Sequence, residues 1–508
     1  DRSVLAADDS SCRDDDDDDR REILARYNRD WTGRYRGSSP LVLRPRNAGE
    51  VSSILGHCHD NFVGVVPQGG NTGLCGAATP LEDEVVISLE DMDAVHHLDE
   101  HSGILTCDAG CVLQNLRDYA SERGRLFPLD IGSGGTCQIG GNVSTNAGGQ
   151  YFFRFGGLHG TVMGLEVVLP DGKVMHLNME VEDDGSIAKG GTHRKDNTGY
   201  DLKHLFIGAE GTLGVVTKVA VACPTLPASR NAALLVCDSY DSVLGILRAA
   251  EEELGEIMSA MELMDLNTLR FVQEHGGGDV DDGGSPLLRD MLRSVPPAEE
   301  SRTSPPQLFL LVETQGSNLD HDGSKMDSFL TRLYDGDLIR DGFLSRDIKQ
   351  LTEMWRIRES CNPSVARAGC VYKFDVSVPI EDYVDVAREV EGKLLLEDSS
   401  AADLAVCLWG HVADGNAHVN VVARGATEWD PALAARVEAV VYSSVRRRRG
   451  SVSAEHGLGQ SKNELLGRIK EHSVMDAMAM VKASFDPHGI MNPGKYLPRD
   501  VTQGAAHS

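Results

Sequence analysis

The sequence predicts a chain of at least two domains built from mixed strand and helix, α/β or α+β. Three observations predict it. A length of 508 residues exceeds what one hydrophobic core supports. From Ser39 onward, short β-branched runs alternate with helical stretches. Pro224 and Pro227 then close a glycine-punctuated region and mark a boundary.

In chain order, the first forty residues are polar and hold an unbroken acidic run, Asp14 to Asp19, flanked by Arg13 and Arg20. Like-charge blocks of this kind are solvated, so the segment reads as a solvated or disordered arm without assigned function. Strands are expected at Leu41 to Leu43, Val63 to Val66, Val85 to Ser88 and Ile104 to Cys107, with helices at Glu50 to His59 and Cys111 to Arg123. Beyond Pro227, helices are expected near Ser242 to Gly255 and Leu263 to Glu274, and a strand at Gln307 to Glu313. Gly276 to Pro286 and Pro296 to Pro306 read as exposed loops. A last helix, Ser473 to Ser484, runs into Asp486-Pro487-His488-Gly489. There are no internal repeats or heptads.

Composition excludes several function classes. Apolar content of 41% and charged content of 25% are ordinary for a globular protein. No apolar run approaches the roughly 20 residues that span a bilayer, so a soluble protein is expected. A formal charge of −29 repels phosphate backbones and anionic lipid, which argues against nucleic-acid or membrane binding. Any site for small anions must therefore concentrate its own positive charge. The eleven cysteines include no CxxC pair, and only Cys107 and Cys111 lie close together, a pattern of a reduced compartment. The chain begins at Asp1 without methionine, and nothing in it reads as a signal sequence, which leaves the compartment open.

Three segments are built to let backbone approach a ligand. They are Pro67-Gln68-Gly69-Gly70-Asn71-Thr72-Gly73, Gly140-Gly141-Asn142-Val143-Ser144-Thr145-Asn146-Ala147-Gly148-Gly149, and Gly208-Ala209-Glu210-Gly211-Thr212-Leu213-Gly214. Glycine permits positive φ and removes the side chain, so amide N–H groups can converge on a pyrophosphate. Neither GxGxxG nor GxxxxGK[ST] is present. A backbone-built phosphate site suits a dinucleotide held by an acidic protein.

These segments, with DNTGYDLKHLFIGAEGTLGVVT and the terminal FDPHGIMNPGK, resemble those of FAD-linked oxidases with the vanillyl-alcohol-oxidase-type flavin fold. The resemblance is to the branch containing D-2-hydroxyglutarate and D-lactate dehydrogenases, and it runs from Leu41 to Pro498. It implies an α+β protein with a split FAD-binding domain, an inserted α+β substrate domain and a C-terminal helical segment. The corresponding division is an arm at 1–38, a flavin domain at 39–223, a substrate domain at 224–440, a completing segment at 441–500 and a tail at 501–508. FAD is the implied cofactor. The first segment through Leu74 would cradle its pyrophosphate. Pro128, Leu129 and Gly132, with Gly140, Gly141, Asn142, Thr145, Asn146, Gly148 and Gly149, would line the flavin. Gly157, His159 and Gly160 lie among the same motifs. Glu210, Gly211, Gly214 and Val215 would close the site, and Asn492 would return to touch the flavin. His159 reads as a hydrogen-bonding histidine, and no covalent flavin is implied.

The most chemically suggestive stretch is Gly410-His411-Val412-Ala413-Asp414-Gly415-Asn416-Ala417-His418-Val419-Asn420. Histidines seven apart face opposite sides of a straight strand, but Asp414-Gly415-Asn416 is a turn signal. A reversal there would bring both imidazoles together, with His418 and Asn420 on one face. Ser453-Ala454-Glu455-His456-Gly457-Leu458-Gly459 supplies a carboxylate beside a third histidine. Two imidazoles and one carboxylate form a common open set for zinc, with manganese or another divalent ion also suitable. The resemblance matches His411, His418 and Glu455 to metal ligands and makes His456 the base. Arg358 offers a planar fork and Lys373 a point charge for carboxylates, and both match the family's substrate positions. Asn362 stands where the family pattern has threonine, four residues after Arg358 and just before Pro363. Its amide can still donate to a carboxylate, and Asn420 joins it as a substrate contact.

The implied reaction is metal-assisted oxidation of D-2-hydroxyglutarate to 2-oxoglutarate by hydride transfer to FAD. D-lactate or another D-2-hydroxy acid is the alternative substrate. Resemblance also suggests an electron-transfer flavoprotein as acceptor, a homodimer, and the mitochondrial matrix, or the cytoplasm for a bacterial chain.

Overall fold

In this computed structural model the described residues are 4–6, 22–182, 187–188, 190–276, 285–293, 308–396 and 403–498. The acidic run Asp14 to Asp19, the segment Pro296 to Pro306, nearly all of Gly276 to Pro286 and the tail 501–508 lie outside them. The chain divides into two units. One comprises Asp1–Gly149, Phe155–Leu226 and Glu455–Ser508, and the other Gln150–Arg154 and Pro227–Ala454.

The first unit holds two sheets. In one, Leu41–Leu43, Val85–Ser88 and Val65–Gln68 lie parallel, and Val4–Ala6 adds an antiparallel edge to Leu41–Leu43. In the other, five strands run antiparallel in the order Val95–Leu98, Ile104–Asp108, Val215–Ala222, Val162–Val168, Val174–Leu177. Helix Ala48–Asp60 begins where the Asn47 side chain accepts from the Glu50 amide. It buries Ala48, Val51, Leu55 and Cys58, a stripe at helical spacing. Burial of Val51 and Leu55 contributes about 1.5–3 kcal/mol each. The C-terminal segment completes this unit. Met491 bridges Val65, with the Val65 amide donating to the Ile490 carbonyl (2.8 Å) and the Asn492 amide to the Val65 carbonyl (2.8 Å).

Residues 22–38 depart from the expected solvated arm. Residues 22–28 are helical, and Leu24 and Tyr27 are buried with Val42, Val66 and Val86. Two apolar residues three apart in a charged stretch suffice to dock one helical face.

The second unit is a seven-stranded antiparallel sheet in the order Asp341–Leu344, Ser229–Cys237, Leu308–Gly316, Met258–Asp265, Leu404–His411, Asn416–Arg424, Gly369–Ser377. Helices Leu266–His275, Ile348–Glu359 and Cys361–Ala368 cover one face, burying Leu269, Met354, Trp355 and Cys361 against Ala260, Leu311 and Trp409. The expected helix from Leu263 is corrected: Leu263, Met264 and Asp265 finish a strand, and the helix starts at Leu266. The Asp265 side chain accepts from the Thr268 amide (2.8 Å), which fixes Asp265 as the cap. Pro286, expected at the end of a loop, opens helix Pro286–Arg293, where its missing N–H costs nothing. The ten described cysteines are all thiols, so no disulfide contributes among the described residues.

Candidate functional site

Within the first unit the three glycine segments meet. The first follows strand Val65–Gln68, and a Cβ at Gly70 would lie 2.1 Å from the Thr136 carbonyl oxygen, so only glycine fits against that backbone. Gly69 packs on Gln138, just before the second segment. That second segment is a helix over Ile139–Thr145 that ends at Asn146 in the left-handed region (φ 50°), not an extended loop. The third lies against it: the Gly208 amide donates to the Val143 carbonyl (3.0 Å) and the Glu210 amide to the Ser144 carbonyl (2.7 Å). Gly211 packs on Pro67, closing the ring of contacts.

These segments fit a bound FAD. At Gly73, Gly132, Gly141 and Gly160 a Cβ would meet nothing within 4 Å, so bare backbone faces open space. Three buried amide oxygens, Gln138 Oε1, Asn142 Oδ1 and Asn146 Oδ1, have no hydrogen-bond partner among the described residues. Buried acceptors of this kind are costly unless a ligand satisfies them. Thr145 Oγ1 donates to the Gly141 carbonyl (3.1 Å). Leu129 is buried, next to Asp130, whose carboxylate pairs with Arg117 (2.5 Å).

Other predicted flavin contacts have structural partners. The Glu210 carboxylate accepts from the Leu458 amide (2.7 Å) and the Gly459 amide (2.8 Å). Burial raises its pKa, while those two donors with Lys462 and Lys495 pull it back. The Asn492 amide donates to the Ala77 carbonyl (3.0 Å) and the Glu210 carbonyl (2.7 Å), and accepts from Lys495 Nζ (2.7 Å). Asn71, with φ of 52°, donates to the Arg29 carbonyl (2.9 Å), and Gln68 to the Tyr27 (3.0 Å) and Ala78 (2.7 Å) carbonyls. His159 Nδ1 hydrogen-bonds His204 Nδ1 at 2.9 Å. Burial, then His204 and Lys203, lower the His159 pKa. Glu455 sits at the end of the second glycine segment: the Gly149 amide donates to its Oε2 (2.9 Å), and a Cβ at Gly148 would lie 2.5 Å from that same oxygen. His456 Nε2 is 3.7 Å from Glu455 Oε1.

In the second unit the reversal expected at Asp414-Gly415-Asn416 forms. Strand Leu404–His411 turns through Val412–Asp414 and Gly415 (φ 78°) into strand Asn416–Arg424. His411 pairs across the strands with Asn416 and with Glu262, His418 with Asp375, and Asn420 with Lys373. Residues directly opposite, and those two apart, share a face, so all seven side chains project from one side of the sheet. The His411 and His418 ring centroids are 5.6 Å apart.

Glu262, fully buried, links His411 on this face to Arg358 on the helix that covers it. Its Oε1 takes His411 Nδ1 at 2.5 Å and its Oε2 takes Arg358 Nε at 2.8 Å. Burial alone would raise its pKa, but His411 and Arg358 reverse that and hold it at about 2. An ionised carboxylate only accepts, so His411 Nδ1 carries a proton towards Glu262, and Nε2 is the ring atom left to offer a lone pair to a cation. A carboxylate behind an imidazole is the usual support of a metal-binding histidine. The donor chemistry therefore fits a divalent cation. Asp375 plays a related part beside His418, at 3.8 Å, accepting from Asn416 Nδ2 (2.8 Å) and from the Ala454 amide (3.1 Å).

Arg358 lies on helix Ile348–Glu359, which two buried glutamates anchor to adjacent strands. Trp355 Nε1 donates to Glu313 Oε2 (2.6 Å) and, one turn later, Arg358 to Glu262. Its two terminal amino groups meet no acceptor among the described residues. The helix ends at Ser360, which also opens helix Cys361–Ala368, so Pro363 falls in a first turn where no backbone bond is lost. That break orients Asn362, whose Oδ1 accepts from Lys373 Nζ at 2.8 Å. Burial lowers the Lys373 pKa. Asn420 donates to the His418 carbonyl (3.2 Å).

Residues 39–178 match the family model "FAD binding domain", and residues 226–496 match "FAD linked oxidases, C-terminal domain". The chain belongs to the FAD-linked oxidases. This oxidase is 41% identical over 482 residues to the mitochondrial D-2-hydroxyglutarate dehydrogenase of Arabidopsis thaliana, covering 95% of this chain and 79% of that protein. It is 41% identical over 471 residues to the mitochondrial D-2-hydroxyglutarate dehydrogenase of Bos taurus, covering 93% and 79%. Among solved structures, an alkyldihydroxyacetonephosphate synthase superposes with a TM-score of 0.70 at 15% identity, over 93% of this chain and 81% of the other, which shows the vanillyl-alcohol-oxidase-type fold. The chain is thus an FAD-dependent dehydrogenase.

Sequence reasoning gave no role to Glu262 or Asp375. A signal for Glu262 was present: it is the one charged residue inside an otherwise apolar strand, MSAMELM, before the Asp265 cap. No helix among the described residues is long and apolar enough to cross a membrane.

Proposed function

We propose that this oxidase converts D-2-hydroxyglutarate to 2-oxoglutarate with FAD and a divalent cation, zinc before manganese. The observation that carries the reading is the single buried carboxylate, Glu262, that holds both His411 and Arg358. Proposed cation ligand and anion clamp are then held by one carboxylate, side by side, as a metal-assisted hydroxy-acid oxidation requires. Bound FAD supplies the hydride acceptor and the cation a Lewis acid for the substrate hydroxyl.

This chain's residues do the rest. His411 and His418, with Glu455, would hold the cation. Arg358 would grip one substrate carboxylate with its terminal amino groups, and Lys373, Asn362 and Asn420 would bind the second carboxylate. His456 would take the hydroxyl proton as the Cα hydride leaves, so the substrate loses one proton and one hydride and becomes the keto acid. The glycine segments, from Pro67 to Leu74, Gly140 to Gly149 and Glu210 to Val215, would bind FAD, together with Pro128, Leu129, Gly132, Gly157, His159, Gly160 and Asn492.

The relatives named above are mitochondrial, and we place this oxidase in the same organelle, in the matrix, with an electron-transfer flavoprotein as acceptor and a homodimer as its assembly. Steady-state rates with a redox dye as acceptor test the reading. D-2-hydroxyglutarate should exceed D-lactate in kcat/KM by at least about a hundredfold, because a site for two carboxylates leaves charges unpaired with a monoacid, and it should exceed L-2-hydroxyglutarate because the mirror-image carbon cannot direct its hydroxyl and its hydride to the same groups. Equal or faster turnover of D-lactate would replace the substrate assignment.

A further inference from the structure

Glu262 takes no part in the proposed proton or hydride transfer, yet it is fully buried in an apolar strand between two groups the chemistry needs. Arg358 donates to it from helix Ile348–Glu359, and His411 donates to it from the end of strand Leu404–His411. A guanidinium Nε is always a donor. Imidazole Nδ1 is a donor only in one of two neutral tautomers. A carboxylate facing both must accept from both, so its charge selects the tautomer of His411 while it fixes the plane of Arg358.

We infer that Glu262 is a positioning residue that sets the His411 tautomer for cation binding and orients Arg358 for the substrate carboxylate. The inference rests on the proposed function above and adds to it a link between the two subsites. The isosteric substitution Glu262→Gln separates this role from simple packing. A glutamine has one acceptor atom. Arg358 Nε must take it, which turns the amide NH2 toward His411 Nδ1. His411 can then only accept at Nδ1, so its proton moves to Nε2, the atom that should face the cation. Side-chain volume is unchanged and both hydrogen bonds remain, but the imidazole presents the wrong atom.

A folded E262Q protein should therefore bind zinc about 10- to 100-fold more weakly than wild type, the usual effect of removing a carboxylate behind a metal-binding histidine. Zinc alone, in competition with a chromogenic chelator, reads this without turnover. The KM for D-2-hydroxyglutarate should change as well, because Arg358 loses the charge-assisted bond that orients it. Glu262→Asp provides the second variant should E262Q not fold: the charge stays, but a side chain one methylene shorter cannot reach both partners. Either the zinc affinity or the KM should then change about tenfold.

Wild-type zinc affinity and KM in a folded E262Q protein would overturn the inference and leave the proposed function standing. The same result in E262D would overturn it where E262Q cannot be made. A wild-type protein that binds no zinc and is not reduced by the diacid would overturn the functional reading, and the inference with it.

Discussion

Replacing Arg358 by lysine tests the anion clamp where geometry supplies the magnitude. The guanidinium donates from Nε to Glu262 (2.8 Å), and its side chain is only 12% exposed. Burial alone would lower its pKa, and the Glu262 carboxylate more than reverses that, so the group stays charged. A lysine keeps a positive charge opposite Glu262 but cannot hold that carboxylate and grip a substrate carboxylate with two parallel bonds. One to two charge-assisted bonds of about 2 kcal/mol each are lost, some 2–4 kcal/mol in total. At about 1.4 kcal/mol per decade, kcat/KM for D-2-hydroxyglutarate should fall roughly 30- to 1,000-fold. Stability should change little, because the pair retains both charges. Arg358→Met is the control: it leaves Glu262 buried with His411 alone, a loss of about 3–5 kcal/mol. The Tm should then drop by about 6–20 °C, at roughly 2–4 °C per kcal/mol in a unit of this size. Steady-state kinetics and thermal unfolding read the two effects. An R358K enzyme within about threefold of wild-type kcat/KM would refute the clamp.

Asn362→Ala removes the acceptor of Lys373 Nζ (2.8 Å) and should lower the ratio of kcat/KM for D-2-hydroxyglutarate over D-lactate by about tenfold or more, measured on the two substrates side by side. Gly148→Ala puts a methyl 2.5 Å from Glu455 Oε2 and should displace that carboxylate, weakening zinc binding about tenfold or more with a Tm within a few degrees of wild type, since only a side-chain end must move. Unchanged zinc affinity in G148A would remove Glu455 from the proposed ligands. Lys495, whose pKa burial depresses to about 7 against Glu84 and Glu210, gives a pH signature. Between that value and its unfolded pKa of about 10.4, the unfolded state binds more protons, so stability rises with pH. The wild-type Tm should therefore climb relative to Lys495→Met from pH 7 to 8.5, and parallel curves would show that Lys495 is charged in the fold.

Much of the fold was legible because local chemistry and tertiary structure agree. The strands at Leu41–Leu43 and Val85–Ser88 and the helix Ala48–Asp60 lie where β-branched runs and helical spacing put them. The hairpin between His411 and His418 was readable from Asp414-Gly415-Asn416, since Gly415 takes the positive φ the turn needs. Other features were hidden. The strand ending at Asp265 and the helix beginning at Leu266 run together in the apolar pattern, and the hydrogen bond from the Thr268 amide to the Asp265 carboxylate separates them. The second glycine segment carries enough glycine to look like a loop, yet Ile139 and Val143, four apart and fully buried, hold it as a helix. Residues 22–28 were obscured by their charged neighbours. The placement of Glu262 between His411 and Arg358 depends on two strands and a helix meeting, information that no local window contains.

The central claim, cation-assisted hydride transfer from a D-2-hydroxy diacid to bound flavin, is tested most directly by anaerobic flavin reduction followed by absorbance. D-2-hydroxyglutarate, L-2-hydroxyglutarate and D-lactate would each be mixed with the purified enzyme before and after treatment with a metal chelator. D-2-hydroxyglutarate should bleach the flavin rapidly, chelation should abolish the bleaching, and zinc should restore it. Bleaching that survives complete metal removal, or flavin that none of the three acids reduces, would contradict the central claim.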